Sequence, residues 1–390
     1  MKILICPDSF KDALPAPAAA RAIACGLRRL GDAVVAVECP LADGGEGSLD
    51  ALLAATGAER RRATVQDALG RPTSAAWGWQ AERRTAFVEL AEASGIQALA
   101  LGERTALHST THGVGELIRE ALDAGAERLL LTLGGSATND GGAGMLVALG
   151  ARLRDARGRD LPPGGAALAD LAELDLSGLD PRLAGLEVET AVDVDNPLLG
   201  ERGASAVFGP QKGATPADVA RLDAALARFA DLAAAALGVD HRELPGAGAA
   251  GGMGFAARAF LGAALRPGIE LVMTQAGVDA LLADADLVIT GEGQLDGQSL
   301  AGKTPVGVAR AARARGVPVV VLAGRLAPGW QAAHDEGIVA AFALADGPMG
   351  LDEALERCAE LLADRAESVA RLLLAAPAAA TQAMPTPSGA

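Results

Sequence analysis

The chain has 390 residues, half of them apolar, with a formal charge of −15 and four cysteines. That length supports two domains with separate cores, and the acidic balance argues against nucleic acid and anionic membrane as partners. No apolar run approaches the roughly 20 residues of a membrane span, and Cys6, Cys25, Cys39 and Cys358 form no C-x-x-C pair, so neither a zinc site nor a disulfide framework is indicated.

The opening MKILICPDSF carries an apolar run too short for a signal peptide and reads as the first strand, Lys2–Cys6, of a cytoplasmic protein. Pro7–Lys11 is the loop at its carboxyl end. Ala16–Leu30 reads as a helix, with Pro15 and Pro17 near its start. Ala33–Val37 is a second strand, followed by the acidic loop Leu41–Gly47 and a helix from Ser48. Strand, helix, strand at this spacing is a βαβ unit with a parallel sheet, whose ligands bind beyond the carboxyl ends of the strands.

From about Val65 to Phe87 the pattern turns hairpin-like and antiparallel, with the alternating Ala76-Trp77-Gly78-Trp79. Ala106–Ala121 and Ala143–Leu153 read as helices flanking Leu129–Gly144, LLLTLGGSATNDGGAG, a buried strand running into a glycine-rich loop. Such a loop lets the backbone approach a ligand closely, and its hydroxyls and carboxylate can orient a substrate or hold a metal. Residues 154–186 read as surface connections, Val188–Val194 as a strand and Pro216–Leu237 as a helix. The βα rhythm then returns: strand Asp286–Ile289, loop Thr290–Asp296, helix Val306–Arg315, strand Val317–Leu322, a further helix and strand up to Leu344, and a closing helix Asp352–Leu374. The Pro/Ala-rich tail 375–390 is expected to be disordered.

Only four of the 34 basic residues are lysines (Lys2, Lys11, Lys212, Lys303), and the chain has two asparagines, Asn139 and Asn196. Three of those lysines and both asparagines fall in Gly/Asp-rich stretches. Lysine is a compact point charge where arginine is a planar fork, so the two are not equivalent at a phosphate.

Two motif matches fail on context. Gly246–Gly251 fits G-x-G-x-x-G but lacks a convincing strand before it and an acidic residue at the required spacing after it, so it reads as a flexible glycine loop. Gly297–Thr304 fits G-x-x-x-x-G-K-[ST], yet seven residues separate it from the expected strand and Pro305 follows directly. His108 and His112 lack zinc-like company, and a His-based triad is unsupported.

The remaining acids and lysines sit beside glycine or proline. Carboxylates alone would repel a phosphorylated ligand, but Mg²⁺ takes one or two carboxylates together with waters and phosphate oxygens. Lysines and backbone amides would hold the remaining phosphate charge, and an Asp would accept the proton of an alcohol. That combination describes phosphoryl transfer from a nucleotide to a small alcohol. A dehydrogenase or a non-catalytic hydroxy-acid sensor is the alternative; the first would need the glycine fingerprint, the second would bind without consuming ATP.

Taken together, PDSFK (7–11), PLADGGEGS (40–48), LGGSATNDGGAGM (133–145), DVDNPLLG (193–200), FGPQKGA (208–214), GGMGFA (251–256), LRPGIELV (265–272) and TGEGQLDGQSLAGKTP (290–305) resemble the motifs of type-1 bacterial glycerate kinases, in order, up to about residue 372. The resemblance implies ATP- and Mg²⁺-dependent phosphorylation of D-glycerate, with 2-phosphoglycerate the usual product. It implies an α/β fold in which a Rossmann-like parallel-sheet domain, built from both chain ends (1–65 and 285–374), receives an inserted mixed α/β domain (66–284), with the active site in the cleft. It leaves room for a homodimer.

Chemistry placed on those motifs makes Asp193 the expected base, with Asp195 and Asn196 orienting it or binding metal and Lys11 assisting catalysis. Lys212 and Lys303 are expected phosphate or carboxylate contacts. Ser9, Asp43, Gly44, Gly45, Ser136, Thr138, Asn139 and Gln211 are expected to surround substrate or phosphate. Asp140, Glu292 and Asp296 are candidate metal ligands, and Glu46 a metal or hydroxyl contact. Gln294 and the Asp12-Ala13 pair depart from the pattern, Gln294 standing where a basic residue is expected.

Overall fold

The computed structural model of the chain describes residues 1–297 and 299–375. In chain order its strands are β1 (Lys2–Pro7), β2 (Val35–Glu38), β3 (Glu59–Gln66), β4 (Pro72–Gln80), β5 (Thr85–Glu89), β6 (Arg128–Thr132), β7 (Arg152–Asp155), β8 (Leu171–Asp175), β9 (Glu187–Ala191), β10 (Ala264–Arg266), β11 (Leu287–Leu295), β12 (Val319–Leu326) and β13 (Ile338–Ala343). They fall into two compact units. One comprises Met1–Pro40, Ala280–Ala301 and the chain from Val308; the other comprises Leu41–Asp279 and Gly302–Gly307.

The first unit holds a five-stranded sheet in the order β13-β12-β11-β1-β2, parallel throughout. Its central strands are nearly continuous apolar runs, as strands covered on both faces must be. Ile3 and Ile5 of β1, Leu287 and Ile289 of β11, and Val320 and Leu322 of β12 pack on one face with the helices Ala16–Arg28 and Cys358–Ala375. The chain leaves β1 toward β2 on one side and runs outward from β11 on the other. The carboxyl ends of β1 and β11 are therefore a topological switch point, the place where open parallel sheets bind ligands.

The second unit holds a six-stranded mixed sheet in the order β10-β9-β6-β5-β4-β3. Strands β5, β6, β9 and β10 are parallel, while β3, β4 and β5 form an antiparallel meander. Its core joins these strands to the helices His112–Asp123, Pro216–Leu237 and Ala249–Leu261. A parallel sheet from both chain ends and a mixed α/β body between them match the expected fold class. The second unit takes in the chain from Leu41, beside the sequence expectation of a boundary after residue 65: Gly47 N and Leu49 N donate to Glu89, and β3 pairs with β4 from Glu59↔Trp79 to Gln66↔Pro72.

Several local expectations change. The helix expected from Ala106 begins only at His112, because Ser109 and Thr111 spend their hydroxyls on Ala137 O and on the Asp140 carboxylate. The helix expected to reach Leu153 stops at Ala148, and β7 and β8 form a two-stranded sheet within the supposed surface connections. Strand β11 runs on to Leu295, through residues expected as loop, because β12 pairs with it in parallel as far as Leu295↔Leu326. Ala375 closes the last helix; the rest of the expected disordered tail lies outside the described residues. No helix among the described residues is long and apolar enough to cross a membrane.

Candidate active site

In the second unit, β6 and β9 lie side by side in parallel, with Thr132 opposite Ala191. The loops that leave their carboxyl ends, 133–142 and 192–200, frame an open pocket of about 330 Å³. Asp43, Gly44, Gly45, Gly135, Ser136, Asp193, Gln211 and Lys212 line it, with Ile96, Leu133, Val192, Val194 and Phe208 as apolar wall. Seven of the residues expected from sequence to meet substrate thus come from four separate stretches of chain to one concavity. Its volume is at the small end of ligand pockets.

Asp193 follows β9 by two residues, and its Oδ1 accepts a hydrogen bond from Gly268 N at 2.8 Å. Gly268 opens the helix Gly268–Ala276, whose free N–H groups and dipole suit a carboxylate. Asp193 is exposed at the pocket mouth, yet the protein around its carboxyl raises the pKa to about 6. Desolvation is the main cause, the Gly268 N–H opposes it, and the charge of Asp43 adds to it. Asp43 turns back to accept from Gly45 N at 3.1 Å. Gly44 between them has φ +92°, and a Cβ there would stand 2.9 Å from Ala191 Cβ and 3.4 Å from Asp193 Oδ2, so a side chain would crowd the carboxylate.

Lys212 is the opposite charge. It ends a short 3-10 turn, Pro210–Lys212, and is 1 % exposed. Its Nζ donates to Ser136 Oγ at 2.8 Å and to Thr138 O at 2.7 Å. Burial lowers its pKa to about 7, against the pull of the Asp140 charge. An incoming carboxylate or phosphate would favour the charged form.

Asp140 does not fit a metal. Its buried carboxylate accepts from Thr111 N, Thr111 Oγ1, Gly142 N and Gly144 N at 2.8 to 3.1 Å, which occupies its lone pairs. It braces the loop that carries Ser136 and Thr138. Asp140→Ala leaves three backbone N–H groups unpaired, and chemical denaturation should show a loss of about 2–4 kcal/mol. Thr138 meets Lys212 through its carbonyl, whereas its Oγ1 and Asn139 Oδ1 are buried without a partner among the described residues; Asn139 Nδ2 donates to Ser205 Oγ.

Asp195 and Asn196 leave the pocket. Strand β9 has ended, so the alternation that would align residues 193 and 195 is lost. Asp195 forms a surface ion pair with Arg202 at 2.9 Å, and Asn196 Nδ2 caps Arg202 O. Glu46 lines a separate recess of about 320 Å³ with Asp50, Glu89 and Glu92, where burial raises Glu89 to about 7. Lys303 precedes the helix Thr304–Arg313 and is not part of the pocket wall.

The remaining expected residues lie in the first unit at its switch point. Ser9 and Lys11 follow β1, with Ser9 N bonded to Asp8 Oδ1 and Asp8 N to Gly291 O of β11. Glu292 and Asp296 share Ser299, whose Oγ donates to Glu292 Oε1 at 2.6 Å and whose N donates to Asp296 Oδ1 at 3.2 Å. With β11 reaching Leu295, only Asp296 separates strand from Gly297 in the G-x-x-x-x-G-K-[ST] stretch, not seven residues. Ser299–Ala301 is a 3-10 turn tied to those two carboxylates. Among the described residues no three His, Cys, Asp or Glu side chains converge as a metal-holding group.

The Gly246–Gly251 stretch is packed tightly. Gly251, at φ +69°, puts its Cα where a Cβ would stand 2.0 Å from Thr138 O, and Gly141 N donates to Gly251 O. Beside it Ala250 holds φ 51°, ψ 42°, a left-handed conformation unusual for alanine, on the pocket wall. Sequence reading did not single out Phe208 and Ala250 on the pocket wall, or Gly268 as the partner of Asp193. Phe208 opens FGPQKGA and Gly268 stands in LRPGIELV, so those motifs were the available signal for them.

The sequence profile described as the glycerate kinase family matches residues 3–374. The chain belongs to the glycerate kinase family. It is 47 % identical to the glycerate kinase of Bacillus subtilis (strain 168), covering 95 % of this chain and 97 % of that one. It is 45 % identical to the glycerate 2-kinase of Escherichia coli (strain K12), covering 96 % and 98 %. A crystal structure of a candidate glycerate kinase 2 from Salmonella typhimurium LT2 superposes with TM-score 0.87 at 48 % identity, over 96 % of this chain and 98 % of that one. This glycerate kinase is accordingly a phosphotransferase.

Proposed function

We propose that this kinase transfers the γ-phosphoryl group of ATP to the 2-hydroxyl of D-glycerate, giving 2-phosphoglycerate, with Asp193 as general base. The observation that carries the reading is the pairing of Asp193 and Lys212 in one pocket sized for a small hydroxy acid. Lys212 and Ser136 hold the carboxylate. The Asp193 carboxylate takes the hydroxyl proton as the oxygen attacks phosphorus; the new O–P bond forms while the bond to the β-phosphate oxygen breaks and ADP leaves. A base with a pKa near 6 is ionised at neutral pH and still basic enough to help. Asp43 and Gln211 orient the substrate.

Lys11, Glu292 and Asp296 serve the nucleotide at the switch point of the first unit. Glu292 and Asp296, joined through Ser299, suit a Mg²⁺ ion that takes one or two carboxylates and otherwise phosphate oxygens and water. Bound there, the ion would neutralise phosphate charge; Glu292 and Asp296 are the residues that would hold it.

An assay of ADP formation with purified protein, ATP, Mg²⁺ and D-glycerate should show one ADP per glycerate consumed and none without the acid. Proton-coupled phosphorus NMR of the product should give a doublet, since C2 carries one hydrogen. A triplet would place the phosphate on C3, and absence of ADP formation would overturn the kinase reading.

A further inference from the structure

Strand β12 carries a cation that no sequence motif singles out. Arg325 stands directly opposite Gln294 of β11, as Ala323 stands opposite Glu292. Side chains alternate across a sheet, so Glu292, Gln294 and Arg325 share one face. Gly291 and Gly293 belong to the other: a Cβ on Gly291 would meet the Phe10 ring at 3.0 Å, and one on Gly293 would meet Lys11 N at 3.4 Å. Gln294 Nε2 is bound to Asp296 Oδ2 at 2.7 Å, and Glu292 to Ser299. Arg325 is exposed and makes no ion pair or side-chain hydrogen bond among the described residues. Arg310 and Arg357 of the same unit each hold a carboxylate, whereas none neutralises Arg325 among the described residues. Its place is the carboxyl end of the central parallel strands, one strand from the switch point, where ligands of such sheets bind.

We propose that Arg325 binds the polyphosphate of the nucleotide, as a fork-shaped cation that meets phosphate oxygens beside the Glu292 and Asp296 carboxylates. The inference rests on the kinase reading for the choice of nucleotide. Its logic is electrostatic: beside Lys11 and the metal, two carboxylates near a triphosphate still call for positive charge, and Gln294 supplies none. Because residues 294 and 325 are register partners on one face, the charge should work from either strand.

The test is an equilibrium titration of the full chain with Mg-ATP, Mg-ADP and adenosine, for the wild type, Arg325→Ala, Arg325→Lys and the double variant Gln294→Arg/Arg325→Ala. Arg325→Ala should weaken Mg-ATP by about tenfold, as expected for loss of one charge-assisted contact, and leave adenosine unchanged. Arg325→Lys should recover part of the loss, and the double variant most of it. In the D-glycerate assay the KM for ATP should rise in step, with the KM for D-glycerate unaltered. Equal Mg-ATP affinity in wild type and Arg325→Ala overturns the inference, as does an equal loss for adenosine. ATP binding that depends on Arg325 without turnover of D-glycerate would sustain the inference and overturn the kinase reading.

Discussion

Asp193→Asn is expected to lower kcat for ATP-dependent D-glycerate phosphorylation by about 10²–10⁴-fold, the usual worth of a positioned general base, with little change in thermal stability. The amide is nearly isosteric and its oxygen can still accept from Gly268 N. Loss of the charge also removes repulsion with Asp43, so the fold is not weakened. The wild type should show kcat/KM rising as pH increases through about 6, where Asp193 ionises, and that limb should vanish in the variant. Near-normal kcat in Asp193→Asn would move the base elsewhere.

Lys212→Met should have the second large effect. It should weaken D-glycerate by about a hundredfold or more, since it deletes a desolvated cation facing the substrate carboxylate. Its effect on stability should be opposite in sign. Lys212 titrates near 7 in the folded protein, below its ordinary value, so the unfolded chain binds the proton more tightly and burying the charge costs stability at neutral pH and below. That cost fades as pH rises from about 7 toward the unfolded value. Methionine carries no such cost, so the variant should melt no lower than the wild type at pH 7 while having lost its substrate. In the wild type the same titration should bend kcat/KM downward above about 7. With Asp193 near 6, the profile is a narrow bell, its acid limb from Asp193 and its alkaline limb from Lys212.

Much of this arrangement is legible in the chain itself. The βα rhythm at both ends announces the parallel sheet, and the glycine-flanked acids and lysines mark Asp43, Ser136, Asp193 and Lys212 before any fold is known. What is hidden depends on partners that are distant in sequence. Thr290–Leu295 looks like a loop because it is rich in glycine, but β12 supplies the hydrogen bonds that keep it a strand. Asp140 looks like a metal ligand until Thr111, 29 residues away, is seen to occupy it. Asp193 and Asp195 share the neighbour Val194 in one motif, and the helix beginning at Gly268 and the surface Arg202 separate them. Cys6 and Cys39, scattered in the sequence, are brought side by side on β1 and just after β2, where burial and the neighbouring thiol raise Cys6. Arg325 has no local signature at all; strand register alone puts it next to Gln294.

The central claim is that the pocket at the ends of β6 and β9 holds the acid substrate between a buried lysine and a raised aspartate. A crystal structure with D-glycerate bound tests it most directly. The account predicts the carboxylate on Lys212 Nζ and Ser136 Oγ, with the 2-hydroxyl within about 3 Å of an Asp193 carboxylate oxygen. D-glycerate seated away from both Lys212 and Asp193 would contradict it.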